Sequence, residues 1–442
     1  MKVIFCFFFF FSFLLSQTTI THIKIHNAIS PGTAQYLKDA FLQSKEDKTS
    51  LMLIELDTPG GLATSMREMI QNILNSDIPV IMFVSPKGSR AASAGTYLMY
   101  ASHIAAMTPG SNIGAATPVN LMQAPKAPKI INKEDDKNDS LNKKISNNKT
   151  AMEKKVINDA IAYIKSIAEF KNRNISWAIE AVKEGKSISA QEALKLNVID
   201  FVALDVDDLL KQINNKEVFL NGEKVRINTK NRTLKFFEAS FKTEVLMIIS
   251  NPSFAYAFLI LAMYGIFFEM MNPGSIFPGV IGAFFALLSM YALNILPFSY
   301  VGLLLILLGI AFMLSEVFIS GFGILGLVGL ISFTLGSFML FDEQTLGQDI
   351  SSSLIISFSL VSLAFFVFLM AFLLKIRKKD PISGIHTLIG VEVEILSTDE
   401  NNYKVSCNGE IWNAISVEKL KINEKAIITN IKSLILEIRR IK

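Results

Sequence analysis

Apolar residues fall into three successive patterns along this chain. In the first, LMLIEL (51–56) and VIMFV (80–84) are short continuous runs, as expected of strands buried on both faces of a parallel sheet. Residues 33–42 carry apolar positions at helical spacing, and 62–75 reads as a helix between the two runs. Strand, helix and strand within about 35 residues is the unit of a parallel crossover. A later helix over 151–170 puts Val156, Ile157, Ala160, Ile161, Ile164 and Ala168 on one stripe, with Lys165 at its edge. From residue 252 the runs lengthen. Five of them, near 252–271, 275–294, 298–318, 322–341 and 353–375, approach the 20 or so residues needed to cross ~30 Å of hydrocarbon. From 384 to 442 apolar and polar residues alternate, and Asp399, Asn401, Asn402, Asn408 and Gly409 mark turns. That pattern predicts a small antiparallel β unit of about five strands, closed as a barrel.

Two segments stand outside these patterns. MKVIFCFFFFFSFLLSQ sets one lysine before an apolar run too short to span comfortably, which predicts a secretory signal peptide over 1–16. Its end is not a clean A-x-A, so an uncleaved anchor is the alternative; in either case the domain after it is exported. Residues 120–150 are rich in Lys, Asn, Asp and Pro and predict a mobile insertion. A solvated loop and a contact with lipid headgroups or a partner are its two readings. The basic cluster KIRKKD (375–380) comes after the last long run and belongs in the cytoplasm by the positive-inside rule. Counting back five spans places 18–245 outside, in agreement with the signal peptide.

The long runs contain a repeat. Glu269, Gly274, Gly279 and Gly282 recur at an offset of 47 as Glu316, Gly321, Gly326 and Gly329. Glycines let membrane helices approach closely, and a carboxylate there is costly unless paired or wet. A duplicated packing unit and an ion or substrate role for the glutamates both fit.

Composition agrees with the division. The chain of 442 residues is 51% hydrophobic, with mean hydropathy +0.40, and the excess lies in 1–15 and 245–376. A net charge of +4 gives no argument for nucleic-acid binding. Cys6 and Cys407 lie in different segments, so neither a disulfide framework nor a cysteine metal site is expected.

The candidate chemistry begins at GSRAASAGT (88–96), where small residues come after a strand. They serve close packing, or they present Ser93 as a nucleophile. His103, the one histidine near in sequence, begins a strand, and no G-x-S-x-G elbow surrounds Ser93. A lysine is the other available base. At an ordinary pKa of about 10.4 it is protonated, and only burial among apolar groups makes it useful near neutral pH. Lys165 is a candidate, its other reading being a stem-packed lysine with a wet amine. DTPGG (57–61) comes after a strand and is either a plain turn or a place where backbone N–H groups meet a ligand oxygen.

Several segments together resemble the ClpP-class membrane serine proteases of the long-form NfeD family. They are LDTPGGL (56–62), IPVIMFVSPKGSRAASAGTYL (78–98), SHIAAMTPGSNIGAATPV (102–119) and NDAIAYIKSIAEFKNRN (158–174). SISAQEALKLNVID (187–200) is similar to the closing turn of ClpP and crotonase-like domains, with Asn197 where a left-handed residue stands. NGEIWNAIS (408–416) is similar to the NfeD OB-fold.

The resemblance implies an α/β ClpP/crotonase-like exported protease domain over 17–240. It implies a multi-span helical membrane domain over 245–376 and a small all-β OB-fold tail over 384–442. It implies Ser93 as nucleophile, Lys165 as general base of a Ser–Lys dyad, and Gly60 and Gly61 as the oxyanion-hole glycines. Lys154, Lys155 and Lys171 are the neighbouring lysines, and Lys165 alone combines the family motif with apolar neighbours. Ser93 and Lys165 are 72 residues apart. No metal or organic cofactor is implied. A peptide or protein substrate, lipid, a stomatin/SPFH-type partner and a dimer or higher homo-oligomer are. A multi-pass protein of the plasma or inner membrane is expected, with its tail in the cytoplasm. A non-catalytic scaffold organising SPFH-protein microdomains is the alternative.

Overall fold

The computed structural model describes residues 18–118, 139–271, 274, 276–318, 323–342, 346–377, 385–399 and 402–441. The expected signal peptide (1–16) and most of the expected insertion (120–138 of 120–150) lie outside the described residues. The chain divides into two compact units, residues 1–362 and 363–442.

The first unit opens with β1 (Thr18–Ile25), α1 (Pro31–Glu46), β2 (Leu51–Leu56), α2 (Ala63–Leu74), β3 (Val80–Val84), β4 (Arg90–Ala92), α3 (Ala94–Ala101), β5 (Ile104–Met107) and β6 (Asn112–Gly114). It continues through α4 (Asp139–Phe170), α5 (Ile175–Lys183), β7 (Ser187–Ser189), α6 (Ala190–Lys195), β8 (Phe201–Val202), α7 (Val206–Gln212), β9 (Glu217–Leu220), β10 (Glu223–Arg226) and β11 (Arg232–Phe236). β11, β1, β2, β3, β5 and β8 form one six-stranded sheet in that order, parallel throughout. β2 and β3 are buried along their whole length, as their unbroken apolar runs predict. One face of the sheet packs on α1 to α6; the other is covered by α7 and the β9–β10 hairpin. That hairpin turns on Asn221 (φ 51°) and Gly222 (φ 88°), the pair whose positive φ values match strand twist. Asn197 is left-handed (φ 56°), as expected of the closing turn. α4 begins at Asp139, so the predicted helix over 151–170 is three turns longer at its start.

A short helix, α8 (Phe241–Ile249), leads to the apolar helices. Its Thr243 hydroxyl donates to Asp39 of α1 at 2.5 Å. Gly32, also of α1, approaches it so closely that a Cβ there would meet the Met247 Cα at 2.6 Å. Next come α9 (Pro252–Met271), α10 (Ile276–Ile295), α11 (Tyr300–Phe318), α12 (Ile324–Met339) and α13 (Ser352–Arg377), near the five expected positions. Among the described residues, Pro252–Met270 and Ile276–Ile295 are long and apolar enough to cross a membrane, and three shorter apolar helices accompany them. α9 pairs with α10 and α11 with α12. In both pairs backbones touch through glycine. A Cβ on Gly282 would lie 2.6 Å from the Ile266 nitrogen, and one on Gly329 2.6 Å from the Gly309 carbonyl.

The repeated glutamates do the same job in each pair. Glu269 accepts from the Gly279 N–H at 3.3 Å. Glu316 accepts from the Gly323 N–H at 2.7 Å and the Leu325 N–H at 3.0 Å. Each carboxylate at the end of one helix thus satisfies orphan N–H groups at the start of the next.

In the second unit, β12 (Glu392–Asp399), β13 (Asn402–Cys407), β14 (Glu410–Ile415), β15 (Lys425–Lys432) and β16 (Ile435–Arg440) close a five-stranded barrel of order β12-β13-β14-β16-β15. β14 and β16 pair in parallel, which departs from the all-antiparallel expectation; the other pairings are antiparallel. Val393, Ile395, Tyr403, Val405, Leu436 and Ile438 fill it.

Candidate active site

Ser93 sits where β4 ends and α3 begins, at the carboxyl edge of the sheet. Its backbone has φ 51° and ψ −114°. A non-glycine residue held at positive φ costs on the order of 1–3 kcal/mol and persists only where its surroundings fix it. Here the Ser93 N–H donates to the Gly114 carbonyl (2.9 Å) and its carbonyl accepts from the Thr96 N–H (3.0 Å). The buried Thr96 hydroxyl bridges the Ala91 and Gly114 carbonyls, both at 3.0 Å. Gly95 lets α3 approach the segment after β2: a Cβ there would meet the Thr58 Cγ2 at 2.6 Å. The small residues around Ser93 therefore pack closely and hold the serine in place as one arrangement.

The DTPGG segment lies beside it. Thr58 joins β4 by donating its N–H to the Arg90 carbonyl (2.8 Å) and accepting from the Ala92 N–H (3.1 Å). Gly60 lies against Ser93. Its N–H donates to the Thr58 hydroxyl at 3.2 Å, and its carbonyl accepts from the Ile29 N–H at 2.7 Å. The Gly61 N–H has no acceptor among the described residues. Of the two expected oxyanion donors, Gly60 is thus already engaged, while Gly61 keeps an N–H without an acceptor among the described residues. Thr58 and Ile29, which orient this strip, were not singled out from the sequence; their part depends on pairings between distant segments.

The lysine expectation needs correction in one respect. Lys165 is not buried. Its side chain is 51% exposed, and its Nζ lies 3.7 Å from the Glu169 carboxylate. The helical stripe explains this. Tyr163 and Ile164 face the core, Tyr163 stacking on Tyr97 of α3 at 6.1 Å. Lys165 is about 200° around the helix from Tyr163. Asp159, one turn before Tyr163 and on its side of the helix, meets Arg67 of α2 at 2.6 Å. Lys155 lies one turn before Asp159 on that same stripe.

Two other groups are excluded as bases by position. His103 accepts the Val80 N–H at its Nδ1 (3.2 Å), at the amino edge of the sheet. Burial, with Lys171 and Arg173 nearby, lowers its pKa to about 3. Burial and Arg173 also lower Lys171, to about 8, but Lys171 belongs to the His103 neighbourhood. Among the described residues no cluster of His, Cys, Asp and Glu is suited to hold a metal ion.

Two family models match the chain: "NfeD1b, N-terminal domain" over residues 19–221 and "NfeD integral membrane domain" over 253–372. The membrane-bound protease PH1510 of Pyrococcus horikoshii is 31% identical over 444 residues, covering 97% of this chain and 94% of that protein. Membrane protein NfeD1b of Bacillus subtilis is 27% identical over 329 residues, 71% of this chain and 65% of its own. Among solved structures, the 1510-N membrane-bound stomatin-specific protease in a lysine-to-alanine form with a substrate peptide is 32% identical. It aligns with TM-score 0.44 over 52% of this chain and 97% of that one. With a relative of this identity matching nearly end to end, the chain belongs to the NfeD family of membrane proteases.

Proposed function

We propose that this chain is a membrane-anchored serine endopeptidase with Ser93 as its nucleophile. One observation carries the reading: Ser93, held at positive φ, lies against a glycine strip whose Gly61 N–H has no acceptor among the described residues. The Ser93 hydroxyl attacks a peptide carbonyl and gives its proton to a neutral lysine. The tetrahedral oxyanion takes the Gly61 N–H. The lysine then protonates the leaving amine, and water releases the acyl group.

The base comes from α4. Lys165 is the residue that the resemblance implies; like Lys155 it is exposed, but it is paired with Glu169 and stands about 200° around α4 from Tyr163, which faces α2 and α3. Lys155 lies on the stripe that Arg67 and Asp159 turn toward α2, the helix that starts directly after Gly60 and Gly61. An apolar peptide laid across that stripe would strip water from Lys155. We take Lys155 as the base and Lys165 as the alternative.

The parallel α/β domain supports a ClpP/crotonase-like class, and the barrel order supports the OB-fold reading of the tail. By the same reading the membrane domain has five spans, the protease domain is extracytoplasmic, the tail is cytoplasmic, and the protein forms a homo-oligomer. The 1510-N domain is described as stomatin-specific; an apolar segment of a stomatin-like protein is the substrate class we carry over. A non-catalytic scaffold is the second reading, favoured by the exposure of Lys165. The deciding experiment incubates full-length protein in detergent with an apolar peptide of a stomatin-like protein. Cleavage by the native chain and none by Ser93→Ala supports the protease; equal cleavage by both rules it out.

A further inference from the structure

The strip that borders Ser93 is covered by a segment from the far end of the same unit. Between α12 and α13 the chain passes through Leu346–Ile350. Gly347, at φ 73°, lies on the Gly60–Gly61 peptide. A Cβ built on it would stand 3.0 Å from the Gly60 carbonyl carbon and 3.2 Å from both the Gly60 oxygen and the Gly61 nitrogen. Nothing in the local sequence of 346–350 forecasts this contact, which spans almost 300 residues of chain.

The segment is tied down at both ends. Leu346 (3% exposed) and Ile350 (5% exposed) are buried among Tyr256, Ala292, Ile306, Phe333 and Ile355 of the apolar helices. The Ser351 N–H donates to the Ser253 hydroxyl at the start of α9 (3.0 Å). Leu62, next to Gly61, packs on the same cluster. The middle of the segment touches the glycine strip without giving the Gly61 N–H an acceptor among the described residues. It occupies the place of a hydrogen-bonding ligand without bonding as one.

We propose that Leu346–Ile350 is a strap that closes the Ser93 site in this state, released when the helices that anchor it shift. The inference rests on the protease reading for its consequence, since an incoming carbonyl must reach the Gly61 N–H that Gly347 covers. It makes the site accessible only to chains that can displace a segment emerging directly from the ends of two apolar helices. Packing of the membrane helices thereby sets the access of substrate to the serine.

The test uses the full-length protein in detergent and two changes. Leu346→Ser loosens an anchor, and Gly347→Ala drives a Cβ into the strip. Amide hydrogen exchange is measured for peptides covering 58–62, with 80–84 as a control for the fold, and Ser93 acylation by a fluorophosphonate probe is timed. Exchange at 58–62 should quicken at least about 5-fold in both variants, with 80–84 unchanged, and acylation should rise roughly 3- to 10-fold. If Leu346→Ser loses protection at 80–84 as well, Gly347→Ala decides. Native exchange and native acylation in a folded variant overturn the strap. Faster exchange at 58–62 with no acylation of any form upholds the strap and sinks the protease reading instead.

Discussion

Gly60 lies so close to Ser93 that a Cβ built on the glycine would stand 2.6 Å from the Ser93 Cβ and 3.1 Å from its Oγ. The glycine also has φ 124°, which other residues rarely adopt. Gly60→Ala must therefore move the serine, the strip or both. The expected result is a loss of at least ~100-fold in Ser93 acylation, the scale of a disrupted oxyanion site. The melting temperature of the same variant should also fall, since Gly60 is buried and adopts a φ other residues rarely do. Acylation near the native rate would mean that Gly60 does not set the position of Ser93.

The two lysines of α4 should separate cleanly. Lys155→Ala is expected to lower peptide cleavage by at least ~100-fold, as removal of a general base does. Lys165→Ala should stay within about 3-fold of native, the effect of losing an exposed pair with Glu169. The reverse ranking would restore Lys165 as the base and show that α4 turns when substrate binds.

The contrast between these lysines shows where sequence reading reached and where it stopped. LMLIEL and VIMFV are local signals, and β2 and β3 match them residue for residue. The long apolar runs and the Asn408–Gly409 turn are equally local. Ser93 is legible because small residues, a strand and a helix start coincide within one stretch. The surroundings of Lys165 are not local. Its stripe neighbours Ile161 and Ala168 do join the core, with Ile164 and Ile167, yet Lys165 falls just past the edge of that face and is exposed. A helical stripe gives the width of a buried face but not which edge meets a partner helix. The Gly347 contact was beyond reach for the same reason: it depends on how the apolar helices pack.

Acid should weaken the domain through Glu55. Burial alone would raise its carboxyl, but hydrogen bonds from His22 and Ser85 and the charges of His22 and Lys24 bring it down from 4.5 to about 2. His22 Nε2 stands 2.7 Å away and Lys24 Nζ 3.3 Å. Above pH 5 the carboxylate is ionised in both folded and unfolded chains, and its stabilisation is fully present. As pH falls below about 4.5 the unfolded chain takes up the proton first, so stability drains away toward pH 2. The contribution is on the order of 3 kcal/mol, from a fall from 4.5 to about 2 at 1.36 kcal/mol per pH unit. Melting temperatures from pH 7 to pH 3 should fall more steeply for the native chain than for Glu55→Gln. Parallel curves would show that the His22–Glu55 pair is not coupled to folding.

Glu316 gives the last prediction, and it distinguishes a packing role from a transport role. Its side chain is 2% exposed and accepts two backbone N–H groups at the start of α12. Glu269 accepts one. A buried acceptor withdrawn from its donors costs about 1–3 kcal/mol. Glu316→Ala should therefore lower the melting temperature in detergent clearly. Glu316→Gln, which keeps one acceptor oxygen, should lower it less, and Glu269→Ala should cost less than Glu316→Ala. None of these changes should create or abolish ion flux in reconstituted vesicles, because each carboxylate already binds the start of the helix after its own. A Glu316→Gln protein with native stability and altered flux would reverse that assignment and make the repeat a conduction device.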